Sequence, residues 1–509
     1  MKKILLGNNG FTLENLVAIS RHKTAIGLTE NARKRIRKAR ELVDSWVREG
    51  KTIYGITTGF GALSNVAISR KDTRLLQENI LKSHAAGTGN NLPEDVVRAM
   101  MALRIKDLAK GHSGIRLETV DTLIDVLNSD IIPVVPEKGS VGASGDLVPL
   151  AHMALVLIGL GEACYKQKKL SGADALKKKG ISPLTLDAAE GLALINGTQA
   201  MTAVGALAVN DARNLLKTID ISAAMSLEVL MGSNTEFDPR IHKVRPYPGQ
   251  AASADNMRRI TDGSGIISSH KDCKRVQDAY TLRCSPQVHG ASRDATAYAE
   301  NVISIEMNAA TNNPLIFSES DTFLLGGNFH GQPVALAMDF LCMAVAELAN
   351  ISERRVERLV NPLLSGLPAF LTSDGGLNSG FMIAQYTAAA LVSENKVLCH
   401  PACVDSIPTS ANKEDHVSMG TISARKAAEI VKNAEHVIAI ELLCAAQGID
   451  LFTNAKPGKG VQAAYQTIRK HIPYLDKDRI LSTDIQCMVQ LIKNGEVLKS
   501  VEEAVGELR

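Results

Sequence analysis

The feature that most constrains this chain is a set of apolar repeats at helical spacing that run on far longer than an ordinary globular helix. They cover Thr198 to Met231, Val334 to Val360, and Ser423 to Gln447, the second stopping before Pro362 and the third before Gly448. Helices of that length bury their apolar faces best against one another, so a bundle follows. Val334 to Leu348 is apolar nearly all round, as a helix at the centre of a bundle should be. Hydrophobic residues make up 45% of the chain but aromatics only 4%, so alanine and aliphatic side chains must build the interior. Strand signals are few and short, Asp130 to Val135 and Thr322 to Leu325 being the best.

The expected fold class is therefore all-α. Residues 1–195 read as a helical part broken by Gly-rich loops. Residues 196–509 read as a long-helix bundle with a helical C-terminal part. In the first part, Thr29 can cap a helix carrying Ala32, Ile36, Ala39, Val43 and Val47 and ending at Gly50. Val97, Met101, Ile105 and Leu108 form another stripe, stopped by Gly111.

A net charge of +3 over 509 residues is too small to point to nucleic acid. Arg33-Lys34-Arg35 and Lys177-Lys178-Lys179 read as solvated surface. The 8 cysteines are scattered, which suits reduced thiols in the cytoplasm better than a disulfide framework. Cys399-His400 with Cys403 hints at metal but lacks a second ligand pair at zinc-site spacing, so no metal is expected. Ile4 to Leu6 is too short for a signal peptide, and Val148 to Leu160, which contains His152, is too short to span a bilayer. A cytoplasmic protein with no membrane partner is expected.

Residues 139–152 read Gly-Ser-Val-Gly-Ala-Ser-Gly-Asp-Leu-Val-Pro-Leu-Ala-His. Within them, Ala143-Ser144-Gly145 can close on itself. Attack of the Gly145 amide nitrogen on the Ala143 carbonyl carbon forms a five-membered ring and releases water. Loss of the Ser144 hydroxyl as a second water leaves 4-methylidene-imidazol-5-one, an electrophile that no ordinary side chain supplies. Gly145 lacks a Cβ and can make the required bend. Asp146 is either an acid–base partner for the dehydrations or a cap for the helix that follows.

This string resembles the signature of the aromatic amino acid ammonia-lyases, and within them the histidine ammonia-lyases. The resemblance recurs at Tyr54-Gly-Ile-Thr-Thr-Gly-Phe-Gly61, Ser83-His-Ala-Ala-Gly-Thr-Gly89, Asn196-Gly-Thr-Gln199 and Gln277-Asp-Ala-Tyr-Thr-Leu-Arg283. It continues at Gly326-Gly-Asn-Phe-His330 and Ser410-Ala-Asn-Lys-Glu-Asp-His416. The blocks stand in the family's order and cover essentially the whole chain. The resemblance implies a homotetramer with active sites shared between subunits, a small amino acid substrate, and a prosthetic group formed from Ala143, Ser144 and Gly145 with no external cofactor.

It also implies site roles. Arg283 is the expected anchor for the substrate carboxylate, since a guanidinium offers two parallel donors. Tyr54 is the expected base at Cβ, a role that demands surroundings favouring the phenolate. Tyr280 is a second site tyrosine that relays protons or positions the amine. Asn196 would hold the ring carbonyl, and Gln277 and Phe329 would wall the pocket. Ser83-His84 matches the histidine-specific pattern, with His84 facing an imidazole. Glu414 would accept the imidazole N–H or serve as a base near Cβ.

Together these imply elimination of ammonia from L-histidine to give trans-urocanate, the first step of histidine degradation. Alternatives within the family are a tyrosine or phenylalanine ammonia-lyase or a 2,3-aminomutase. The sequence departs from the common pattern at Lys413, where glutamine is usual and whose charge could pair with Glu414, at Asn312-Asn313-Pro314, and at Tyr386.

Overall fold

The computed structural model describes residues 3–61, 68, 72–270, 273, 276–452 and 455–509. It is mainly helical, as the apolar periodicity requires, and divides into two compact units that are each discontinuous in sequence. One comprises Met1–Leu207, Glu300–Asp339 and Pro401–Arg425, and the other Ala208–Ala299, Phe340–His400 and Lys426–Arg509.

The first unit holds short helices tied by small sheets. Helix Glu30–Arg48 begins where the Thr29 hydroxyl accepts the Ala32 N–H, and it buries Ala39, Val43 and Trp46 against Ile53 and Ile56. Ile4–Leu6, read from sequence only as a brief apolar stretch, is a strand paired in parallel with Ile26–Leu28. Asp130 to Val135 shrinks to a strand at Ile132–Pro133, which pairs with Glu162–Tyr165. Strand Thr88–Asn91 pairs antiparallel with Pro136–Lys138.

Helix Glu94–Leu108 differs from the one-sided stripe expected of it. Nearly every residue from Val96 onward is buried, including Arg98, Arg104, Lys106 and Asp107. Each of these polar groups has at least one partner: Arg98 donates to Asp130 at 2.6 Å and Arg104 to the Asn196 carbonyl at 2.9 Å, although Arg104 Nε and Nη2 have none among the described residues.

The long helices are Gln199–Val229, Ser285–Glu306, Gln332–Val360 and Gly420–Asp450. Gln332–Val360 contains an 18-residue window apolar enough to cross a membrane, but 67% of that window is buried inside the protein, which accounts for its composition. The last helix runs through Gly448 rather than stopping before it. A Cβ at Gly448 would lie 2.4 Å from Val229 Cγ1, so this glycine permits close helix packing instead of ending a helix.

In the second unit, the fully buried Arg355 donates two bonds to Glu441, at 2.5 and 3.0 Å. Its remaining nitrogen reaches the Thr281 carbonyl at 3.3 Å, which pins the short helix Tyr280–Arg283. The charge-assisted pair makes that pin stiff.

Candidate active site

Strand Pro136–Lys138 delivers the chain into the tripeptide, whose backbone is clamped from both sides. Gly145 has φ +72° and forms a parallel bridge with Gly197. A Cβ at Gly145 would lie 2.1 Å from the Gly197 carbonyl oxygen, so no other residue fits there. That same oxygen accepts the Asp146 N–H at 2.7 Å. Ala143 is buried in a small cluster with Val417 and Met419. The Ser418 hydroxyl binds the Gly142 carbonyl at 2.8 Å.

The Asp146 side chain does not cap the helix that follows it, Leu147–Leu157. It caps a different one, accepting the Met201 N–H near the start of Gln199–Val229 at 2.7 Å, together with the hydroxyls of Ser140 at 2.9 Å and Thr421 at 2.5 Å. Burial pushes its carboxyl pKa up, and these donors pull against the rise.

A cavity of about 750 Å³ opens above the tripeptide. It gathers Tyr54, Ser83, His84, Ser144, Asn196 and Glu414, residues spread over most of the chain. Helix Thr73–His84 contributes Leu76, Asn79, Ile80 and Ser83 from a single face, as spacings of three and four require. Ser144 Oγ donates to Glu414 Oε1 at 2.6 Å, and Thr409 Oγ1 steadies the other carboxylate oxygen at 2.7 Å. Asn196 Nδ2 donates to the Ser144 carbonyl at 3.4 Å, while its buried Oδ1 has no partner among the described residues. Ser83 Oγ and His84 Nδ1 are 3.0 Å apart.

Burial lowers the His84 pKa against the opposing pull of the Ile80 carbonyl and Glu414, so the ring is neutral at neutral pH. Tyr54 behaves against expectation. Its hydroxyl accepts the Gly61 N–H at 3.4 Å, which favours the phenolate, but burial and the Glu414 charge outweigh that bond and raise the pKa above 10. Surroundings that stabilise a Tyr54 phenolate are therefore not found among the described residues. The Ser144 hydroxyl has a carboxylate partner, and no imidazole bonds it among the described residues.

The remaining sequence-predicted residues do not line this cavity. Gln277 is exposed, Tyr280 is 71% exposed, and the Arg283 guanidinium lies over the Tyr280 ring at 4.9 Å. Phe329 is half-buried in a turn. Lys413 is exposed and forms no ion pair with Glu414 among the described residues. Sequence reading missed Asn79, Thr409 and Ser410. Asn79 had a visible signal in its four-residue spacing from Ser83 on a helix, and Ser410 opens the block that ends at His416; Thr409 had none.

The model of the family described as aromatic amino acid lyase matches residues 11–470. The histidine ammonia-lyase of Alkaliphilus oremlandii is 59% identical over 505 residues, covering 99% of each chain. Among solved structures, the histidine ammonia-lyase of Trypanosoma cruzi superposes with a TM-score of 0.92 at 44% identity, covering 99% of this chain and 96% of that one. The tyrosine aminomutase of Streptomyces globisporus superposes with a TM-score of 0.94 at 36% identity, covering 100% of both. Backbone shape alone thus separates these neighbours poorly, whereas identity separates them.

Proposed function

As this chain belongs to the aromatic amino acid lyase family and is a carbon–nitrogen lyase, we propose that it eliminates ammonia from L-histidine to give trans-urocanate. The observation that carries this reading is one cavity in which Ser144, Glu414 and His84 meet. High identity to histidine ammonia-lyases along the full chain supports the same substrate.

Ala143, Ser144 and Gly145 are proposed to form 4-methylidene-imidazol-5-one. The residues fit it: Gly145 has no room for a Cβ, and Asn196 already donates to the Ser144 carbonyl. That group would supply an electrophile, taking either the amine or the aromatic ring of the substrate, and no external cofactor is invoked. Asn196 would stabilise negative charge at the carbonyl it holds. His84 would exchange a hydrogen bond with the substrate imidazole. Glu414 would accept the imidazole N–H or take the Cβ proton, and Tyr54 is the other base within the cavity. A phenyl side chain would offer no donor to the Glu414 oxygen that Thr409 does not hold, and leaving that oxygen desolvated costs several kcal/mol. Glu414 together with Ser83-His84 argues against a tyrosine or phenylalanine lyase, and an aminomutase, the class of the structurally similar tyrosine aminomutase, would return a β-amino acid rather than free ammonia.

Gln277, Tyr280, Arg283 and Phe329 are proposed to complete the site from neighbouring subunits of a homotetramer. Exposed apolar side chains, Phe340 and Met343 on helix Gln332–Val360 and Ile383 and Tyr386 on helix Met382–Leu398, support such partners. The enzyme would work in the cytoplasm, at the first step of histidine degradation.

The deciding experiment is turnover of histidine, tyrosine and phenylalanine, followed by ultraviolet absorbance and ammonia release. Histidine should be strongly preferred; preference for tyrosine, or a β-amino acid product, would sink the reading. Arg283→Lys should lower kcat/KM for histidine about 10- to 100-fold by removing the paired donors to the carboxylate. Unchanged kinetics would remove Arg283 from the site.

A further inference from the structure

His152 lies on helix Leu147–Leu157, directly after the tripeptide, and its ring turns back toward the segment that follows Ser83-His84. Its Nε2 accepts the Gly87 N–H at 3.0 Å. The contact is tight, since a Cβ at Gly87 would lie 3.1 Å from His152 Nε2, Pro136 Cβ and Val148 Cγ1 alike. Beyond Gly87 the chain becomes strand Thr88–Asn91, paired with Pro136–Lys138, and that second strand leads into the tripeptide.

Recognition segment, strand pair, tripeptide and helix therefore form a closed circuit, and the His152–Gly87 bond closes it on the recognition side. Between Gly87 and His84 there is little slack, because the Ala86 N–H binds the His84 carbonyl at 2.9 Å. A shift at Gly87 is thus passed to His84 rather than absorbed. The bond needs an unprotonated Nε2, and burial, which lowers the His152 pKa, keeps it so at neutral pH. His152 does not line the cavity and is not placed to touch a substrate.

We propose that His152 is a positioning residue for substrate recognition: by holding the Gly87 amide, it sets where His84 meets the substrate side chain. This rests on the reading of His84 as the partner of the substrate imidazole. The test compares His152→Leu, which removes the acceptor, with His152→Gln, whose amide oxygen restores one. His152→Leu should raise KM for L-histidine about tenfold with kcat within about twofold of the unaltered enzyme. His152→Gln should return KM to within about twofold.

Amide exchange at Gly87 should quicken about tenfold in the Leu variant and stay protected in the Gln variant. Intact mass should remain lower by two waters in both, which separates failure of this proposal from failure of the proposed electrophile. An unchanged KM in His152→Leu, a fall in kcat without a rise in KM, or an equally raised KM in both variants would overturn the proposal. If the Leu variant does not fold, the Gly87 amide of the unaltered enzyme decides, and exchange at the rate of a free amide overturns it.

Discussion

Ser144→Ala should lower kcat/KM for L-histidine by at least about a thousandfold while leaving helix content and association state unchanged. The physical reason is that Ser144 would supply the electrophilic carbon of the proposed prosthetic group, and an alanine has no hydroxyl to lose. The intact mass makes the prediction independent of activity. The unaltered chain should weigh two waters less than its encoded sequence, and the variant, with no hydroxyl at position 144, should weigh at most the one water of ring closure less than its own. The fold should survive because, among the described residues, the Ser144 side chain is tied only to Glu414, whose other oxygen keeps its bond to Thr409. Activity near that of the unaltered enzyme would refute the electrophile, and so would an unaltered chain at its full encoded mass.

Tyr54→Phe should lower kcat/KM about 10²- to 10⁴-fold, the range expected when a positioned base is removed. A base acts deprotonated, and burial together with the Glu414 charge raises the Tyr54 pKa above its ordinary value. The sign follows: activity falls as pH is lowered, because the phenol gains its proton well above neutrality, and recovers as pH rises toward the phenol pKa. The kcat/KM profile of the unaltered enzyme should therefore carry an acid-side limb that the Tyr54→Phe residual activity lacks. If the limb survives in the variant, Glu414 rather than Tyr54 takes the Cβ proton.

Much of the fold was legible because helix signals are local. The Thr29 cap and the long repeats of Thr198 to Met231 and Val334 to Val360 emerged close to their expected limits. Gly448 misled because a glycine ends a helix or admits a close neighbour with the same letter, and only the nearness of Val229 distinguishes the two. Glu94–Leu108 misled because its charged residues look like a solvated face until their buried partners are seen. Asp146 reads from sequence as either an acid–base partner or a cap for the next helix, and only the second could be checked locally: the N–H it caps belongs instead to Met201, far along the chain.

The sequence by itself determined the fold class, the family, and the chemistry available at Ala143-Ser144-Gly145, because backbone cyclisation depends on adjacent residues and helix formation on residues a turn apart. What the tertiary structure decided is which distant groups surround Ser144 and in what protonation state. It set Glu414 on the Ser144 hydroxyl, made His84 a neutral ring, and gave Tyr54 surroundings that disfavour its phenolate. It also left Tyr280 and Arg283 outside the cavity lining of a single chain. Charge, burial and partnership depend on atoms brought together across hundreds of residues, so no reading of neighbours along the chain could supply them.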